Sequence, residues 1–428
     1  MKQELFAPET RNRFRKNPKF FTRDRVLNFA RVTILILRGH KLSLQNALNK
    51  FFAELGLVFD VPTASAYCQA RQKISPGLFV HLNEVVRDDF YRLYGESGEL
   101  ELWRGHRLLG ADGTYLNLPD TVETRANFSL QTNQHESGQC LQALASVLYD
   151  LRNDLALSGG LGPKQAEKNF LFDQHFSATR EGDVIVLDRA YADYSVIAFA
   201  VKNKRHVVIR FPQKSFTVVN QFWESGLEEQ IVRIAASDRA REFIREHELP
   251  REVKLRLIKV ALDSGEIEVL GTTLIETNQY PREEFKQVYG WRWGEETFFD
   301  RFKNIFEVER LSGTTKTAIE QDFYGVILLA NLEGILSRGA QTQLDNQRSA
   351  TLKTEAKVNR AVSYVALVDR VVELLASPDT GPEEVLEQLH HLFQTNPTRH
   401  RAGRKFDRPK LKHARKLRFY RYIKRVIA

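Results

Sequence analysis

The sequence predicts an α/β fold: a sheet with parallel members, covered on its faces by helices, with further helical regions at both ends of the chain. Three observations predict it. The pattern is helical up to about residue 100 and changes to strands after Trp103. From there the order is three strands, helix, strand, helix, strand, the alternation that places helices over a sheet with parallel members. The run Asp183-Val-Ile-Val-Leu-Asp188 is short, apolar and β-branched, as a strand buried on both faces must be.

The elements follow in order. Apolar residues three and four apart, Val26, Phe29, Ala30, Val32 and Leu35 and then Phe79, Leu82, Val86, Phe90 and Leu93, predict helices between Arg25 and about Leu100, with Ser43, Thr63 and Ser75 as N-caps. Leu42 to Ser75 divides into two or three short helices, one of them with a polar face of Ser65, Tyr67, Gln69, Arg71, Gln72 and Lys73. That face suits a helix-turn-helix and an ordinary helical bundle equally. Strands are expected at Arg107–Leu118, Leu141–Asp150, Leu155–Leu161, Asp183–Asp188 and His206–Phe211, with helices from Pro163 to about Thr179 and from about Tyr191 to Lys204. Between Pro212 and Pro281 the texture changes to mixed charge. A helix near Asp238–His247 and two alternating runs around Asp263-Ser-Gly265 predict a helix and a β-hairpin there. A long helix is expected from Glu283 through Lys303, a more apolar one around Phe323–Leu336, a polar linker over Gln341–Val358 and helices over Val362–Phe393.

At 428 residues the chain exceeds one hydrophobic core, so a central domain with appended pieces is expected. Its 42% apolar content excludes global disorder, and no stretch approaches the roughly 20 apolar residues that span a bilayer. Cys68 and Cys140 make neither a disulfide framework nor a zinc site, which fits a reducing cytoplasm. The net charge of +9 is concentrated at the ends of the chain. Arg399–Arg425 holds thirteen Lys/Arg against Asp407, and Met1–Lys41 holds eleven against Glu4, Glu9 and Asp24. In the C-terminal stretch the bases alternate with Phe406, Phe419, Tyr420 and Tyr422, a mixture suited to a phosphate backbone. A polyanionic partner is expected.

The most informative stretch is Tyr289–Lys303. At 100° per residue Tyr289, Arg292, Glu296 and Lys303 share an arc of about 60°, while Trp291, Phe298, Phe302 and Ile305 form an apolar back. Arg292 and Glu296 alone are an ordinary i,i+4 salt bridge. The picture changes once Asp112, inside a strand, and Asp188, ending the next buried strand, are added. Two acids in a sheet and one on a following helix form the arrangement that places two hard cations roughly 4 Å apart.

The spacing Tyr289-x2-Arg292-x3-Glu296-x6-Lys303 resembles the signature of IS4-family insertion-sequence transposases. Asp112-Gly113-Thr114 and Leu187-Asp188-Arg-Ala-Tyr191 resemble the surroundings of that family's first two catalytic acids, with Ala190 where relatives often have Gly. The resemblance covers about Arg107 to Leu336. It implies an RNase H-like mixed-sheet catalytic core with a β-rich insertion and flanking helical regions. The divisions are a basic DNA-binding helical region at 1–100, core at 101–211, insertion at 212–281, core with the glutamate helix at 282–340 and a helical C-terminal region with a basic tail at 341–428.

It further implies a DDE transposase in which Asp112, Asp188 and Glu296 hold Mg2+, with Mn2+ able to substitute, for two-metal-ion phosphoryl transfer. Tyr289, Arg292 and Lys303 would grip phosphates near the cleaved end. Some members of the family cut the second strand through a DNA hairpin, and Trp293 or Trp223 could then hold an extruded base. The implied partners are double-stranded DNA, both transposon terminal inverted repeats and target, and a second copy of the chain in a synaptic complex. The implied place is the bacterial cytoplasm, at the nucleoid. A catalytically silent DNA-binding regulator and an RNase H-like nuclease without strand joining are the competing expectations.

Overall fold

A computed structural model describes residues 1–400 apart from 24, 40–42, 133–138, 166, 214, 263–264, 347–354 and 377–380. The basic tail therefore lies outside the described residues, as do the hairpin turn at 263–264 and the middle of the expected linker.

Six helices come first: α1 (Lys2–Phe6), α2 (Pro8–Phe14), α3 (Phe29–Arg38), α4 (Leu44–Glu54), α5 (Ala64–Arg71) and α6 (Gly77–Glu96). Thr63 caps α5, its hydroxyl accepting from the Ala66 N–H, and the Ser75 hydroxyl accepts from the Gly77 N–H at the start of α6. Ser43 occupies the N-cap of α4 without a side-chain bond. The polar face expected on α5 is only partly solvent-facing. Tyr67 and Arg71 are buried, and Arg71 donates to the Gln321 amide oxygen at 2.9 Å and pairs with Asp322 at 3.0 Å. That half of the face clasps a later helix, and the guanidinium can be buried only because both partners meet it.

The strands are β1 (Leu108–Asn117), β2 (Ser129–Thr132), β3 (Gln139–Asp150), β4 (Leu155–Gly162), β5 (Val184–Leu187), β6 (His206–Phe211), β7 (Glu229–Ala235), β8 (Glu252–Ala261) and β9 (Ile267–Thr272). Their main order is β4-β3-β1-β5-β6-β9-β8-β7, with β2 pairing the start of β3. β4 and β1 each run antiparallel to β3 between them, whereas β5 lies parallel to β1 and β6 parallel to β5. Three antiparallel strands continued by two parallel ones are the RNase H-like core. The helix α7 (Val122–Asn127) and strand β2 between β1 and β3 were not foreseen.

The segment read as a β-rich insertion, 212–281, joins the central sheet. β9 pairs antiparallel with β6, from Phe211 opposite Val269 to Val208 opposite Thr272, so the hairpin and β7 lengthen the central sheet. An open β6 edge would expose unpaired backbone, and β9 covers it. The insertion also carries α10 (Thr217–Glu224) and α11 (Arg241–Glu246).

Between β4 and β5 the expected helix is α8 (Glu167–Phe170) continuing through a π-turn and a 3-10 turn to Ala178, and α9 (Tyr194–Lys202) follows β5. The long helix expected from Glu283 is broken into α12 (Phe285–Gly290) and α13 (Trp293–Asn304). At the break the bonds are i to i+3, from the Arg292 N–H to Tyr289 O at 3.1 Å and from the Gly294 N–H to Trp291 O at 2.9 Å. α14 (Lys316–Asn346) is a 31-residue helix, running well into the segment read as linker; α15 (Arg360–Leu375) and α16 (Glu383–Thr395) follow, and a short strand at Thr398–His400 pairs antiparallel with Glu355–Lys357.

One apolar cluster joins α3 to α6 with α13 to α16 and with Leu116, Ala145, Val147 and Tyr149 of the sheet. The regions at the two ends of the chain thus share a core. Leu109 and Ala111 of β1 belong with α9 to a second cluster, while Leu108 belongs to a third with Phe285, Val288 and Tyr289. Since strand side chains alternate, Gly110 and Asp112 continue the Leu108 face, toward α12 and α13. No helix among the described residues is long and apolar enough to cross a membrane.

Candidate active site

The parallel register between β1 and β5 sets Gly110 opposite Val186. Two residues further along the same register stand Asp112, midway along β1, and Asp188, just past the carboxyl end of β5. Each is held by its own backbone. Asp112 Oδ1 accepts from the Gly113 N–H at 2.8 Å, and Asp188 Oδ1 accepts from the Ala190 N–H at 2.8 Å as the cap of a 3-10 turn. Burial pushes the Asp112 carboxyl up, the Gly113 bond opposes this, and the charges of Asp188 and Glu296 raise it further against Arg292. The aspartates and Glu296 therefore feel one another.

The break between α12 and α13 brings the third acid in. Arg292 stands at the N-cap of α13, where it donates to Glu296 Oε1 at 2.7 Å and lies 3.7 Å from Asp112 Oδ2. Tyr289 is buried beneath it, with the guanidinium 5.7 Å from the ring centre and the phenol oxygen unpaired. Lys303 lies two turns on, donating to the Tyr115 carbonyl of β1 at 2.9 Å, three residues past Asp112. Trp293 is 60% exposed beside Arg292. Of the expected apolar back, Phe298 and Phe302 are buried, but Ile305 is only partly so and Trp291 is half-buried with the Arg152 guanidinium 4.4 Å from its ring. Trp223 lies in α10 with Arg189, Arg210 and Gln213 around a cavity of about 580 Å3.

Two further acids approach the site that the sequence reading passed over. Glu167 in α8 lies where a Cβ on Gly113 would come 2.9 Å from its Oε1, and burial together with the charges of Asp112 and Asp188 pushes its carboxyl up to about 7. Glu295 is fully buried, and no side chain donates a hydrogen bond to either carboxyl oxygen. Burial and then the Asp112 charge push it well above the ordinary carboxylate range, with Arg292 and the Asp112 backbone as partial offsets. Its signal in the sequence was Gly110: a glycine inside a strand marks a close approach, and here the approaching group is Glu295.

Among the described residues no three acid or imidazole side chains surround one point closely enough to hold an ion as placed. The Arg292 guanidinium supplies the positive charge between Asp112 and Glu296 instead. The donor set of Asp112, Asp188 and Glu296 nevertheless fits a hard divalent cation, since all its ligand atoms are carboxylate oxygens, and the buried Glu295 carboxyl beside it has no side-chain donor.

Fold and acids together define an RNase H-like protein with a carboxylate site. Residues 103–332 match the family described as Transposase DDE domain. That is more than half of the chain, and the protein belongs to this family. It is similar to the transposase InsG for insertion sequence element IS4 of Escherichia coli (strain K12), at 26% identity over 275 residues. The match covers 63% of this chain and 60% of that relative's length. Among solved structures it is similar to a piggyBac transposase in a synaptic complex with hairpin DNA, at 10% identity and a TM-score of 0.42, covering 92% of this chain and 84% of that one.

Proposed function

We propose that this protein is a DNA transposase that cuts and joins strands at the terminal inverted repeats of an insertion sequence. The observation that carries the reading is Asp112 and Asp188 side by side on parallel strands, with Glu296 tied to Asp112 through Arg292. Asp112, Asp188 and Glu296 would hold Mg2+ or Mn2+. Such ions, when bound, supply Lewis acidity for in-line displacement at phosphorus.

The remaining residues position DNA. Arg292 is able to exchange its carboxylate partners for a phosphate, with the bidentate geometry a guanidinium offers. Tyr289 and Lys303 support that grip, Tyr289 by backing the guanidinium and Lys303 from the edge of β1. Trp293 and Trp223 are the aromatic surfaces on which an extruded base would stack, should the second strand be cut through a hairpin.

The region 1–100 is read as the DNA-binding part. Its support is a surface cavity of about 690 Å3 lined by Lys19, Phe20, Arg23, Arg25, Gln69 and Lys73, with no acid among its described lining residues. A basic, partly aromatic hollow of this kind suits a phosphate backbone. Work on two ends requires a homodimeric synaptic complex, placed at the nucleoid in the bacterial cytoplasm.

The test is incubation of the full chain with labelled terminal-repeat DNA and Mg2+ or Mn2+. Cleaved ends and strand-transfer products are expected from the wild type. Asp188→Asn should lose cleavage by at least about a thousandfold while end binding stays within about threefold, since it removes an ion ligand and no DNA contact. Binding without nicking by the wild type would make it a regulator, and nicking without joining a nuclease. Equal loss of binding and cleavage in Asp188→Asn would remove that residue from the cation site.

A further inference from the structure

The buried carboxylates of this chain have side-chain donors, with one exception among the described residues. Asp150 accepts from the Tyr91 hydroxyl at 2.5 Å and from the Asn153 backbone and side chain. Asp183 is gripped by Arg107 through both oxygens, and Glu268 pairs with Arg210 at 2.8 Å. Glu333 accepts from Ser337 at 2.7 Å and from Arg360 at 2.6 Å. Glu295 is as buried as any of them and has no side-chain donor on either oxygen; from the polypeptide only the Asp112 backbone and the Arg292 charge favour its ionised form. A fold that gives four buried acids side-chain donors and the fifth none leaves that carboxyl open to a ligand from outside the polypeptide.

Their position says what. A Cβ on Gly110 would lie 2.5 Å from Glu295 Oε2 and 3.0 Å from Leu151 Cδ2, so the carboxyl rests on β1 where the glycine gives way. Gly110 precedes Asp112 by two residues and faces the same side of the sheet. The charged and titratable groups acting on Glu295 are Asp112, Asp188 and Arg292, and Glu296 is its chain neighbour in the first turn of α13. Tyr191, buried beside Glu167, senses the same carboxyl. A hydrophobic side chain would fill this place at lower cost, and a second cation-bound oxygen pair would satisfy it.

We propose that Glu295 is a fourth carboxylate of the cation site, ligating a divalent ion alongside Asp112. The inference rests on the reading of Asp112, Asp188 and Glu296 as ion ligands. α13 would then offer two consecutive carboxylates, Glu296 through the side that Arg292 now occupies and Glu295 from beneath, against the strand. The ion would also give this carboxyl the partner that no side chain supplies.

The test is Mn2+ binding to the full chain without DNA, by titration calorimetry and by the loss of the free Mn2+ resonance signal, so that no catalytic readout is involved. Glu295→Gln keeps the volume and removes the charge, and should weaken Mn2+ binding by about tenfold or more. Asp188→Asn should do the same. Gly110→Ala keeps every acid and pushes the Glu295 carboxyl off the strand, so it too should weaken binding, and it decides the matter if Glu295→Gln fails to fold by circular dichroism. Wild-type affinity in Glu295→Gln or, in that event, in Gly110→Ala, beside a weakened Asp188→Asn, overturns this proposal alone. Wild-type affinity in Asp188→Asn and Glu295→Gln together overturns the cation site itself.

Discussion

Two glutamates on successive helices are equally buried and differently treated. Glu333, in α14, accepts hydrogen bonds from Ser337, Ser363 and Arg360, and Arg360 in turn pairs with Asp154. Glu295, in α13, has no side-chain donor. Burial pushes both carboxyls up, but for Glu333 the serine bonds oppose the shift, whereas the next largest influence on Glu295 is the repelling charge of Asp112. Glu333 ties α14 to α15 and serves the fold. Glu295 weakens the fold where it stands, beside Asp112. Burial alone does not distinguish a structural acid from a functional one; the partners do.

The comparison can be broken by replacing each acid and measuring urea unfolding of the ion-free protein. Glu333→Ala should cost about 3 kcal/mol, because it strands Arg360 and two hydroxyls in the interior. Glu295→Leu should instead raise stability by about 1 kcal/mol, as expected when an unsatisfied acid gives way to a hydrophobic side chain. A loss of similar size at both positions would mean that Glu295 is a structural residue and that the difference in partners carries no information.

The sequence made the central sheet legible and the join to its extension illegible, for the same physical reason. β1, β3, β4, β5 and β6 announce themselves locally, by runs such as Val-Ile-Val-Leu and by the breakers around them. That β9 docks on the β6 edge is a pairing between residues about sixty positions apart, on which local pattern is silent. Asp112, Asp188 and Glu296 were singled out by their strand and helix contexts, and the family resemblance then supplied their relation; helix arithmetic placed Arg292 with Glu296 but not the break that sets Arg292 as the cap. Glu295 fell at about 240° on the Tyr289 scale, between the reactive face and the apolar back, where a glutamate reads as solvated. Tyr67 and Arg71 misled in the opposite direction, since polar residues that clasp another helix look the same in sequence as polar residues that face water.

A third buried group sharpens the contrast by being satisfied without charge. His175 is fully buried, its ring nitrogens 2.9 Å from the Ser146 hydroxyl and 3.1 Å from the Ser158 hydroxyl, and burial pushes its pKa down to about 3. Ser146 also donates to the Asp112 carbonyl at 3.2 Å, so this group supports β1 from the neighbouring strand. A folded pKa below the unfolded value of about 6.5 means stability that is present above pH 6.5 and lost as pH falls toward 3, at roughly 1.4 kcal/mol per unit. Between pH 7 and 5 the wild type should lose about 2 kcal/mol relative to His175→Gln in urea unfolding. Parallel pH profiles would show that the ring is not held neutral by its burial.

The smallest effect isolates a single partner. Ser337→Ala removes one donor, at 2.7 Å, from Glu333 while leaving Ser363 and Arg360 in place. It should cost about 1 kcal/mol, the net worth of one hydrogen bond to a buried charged group that keeps its others. Since Glu295 has no such donor to lose, substitutions of the neighbours around it carry no corresponding penalty of this kind. A Ser337→Ala protein as stable as the wild type would mean that Arg360 alone satisfies Glu333. The distinction between the two glutamates would then reduce to one having a cation from the protein and the other taking its cation from solution.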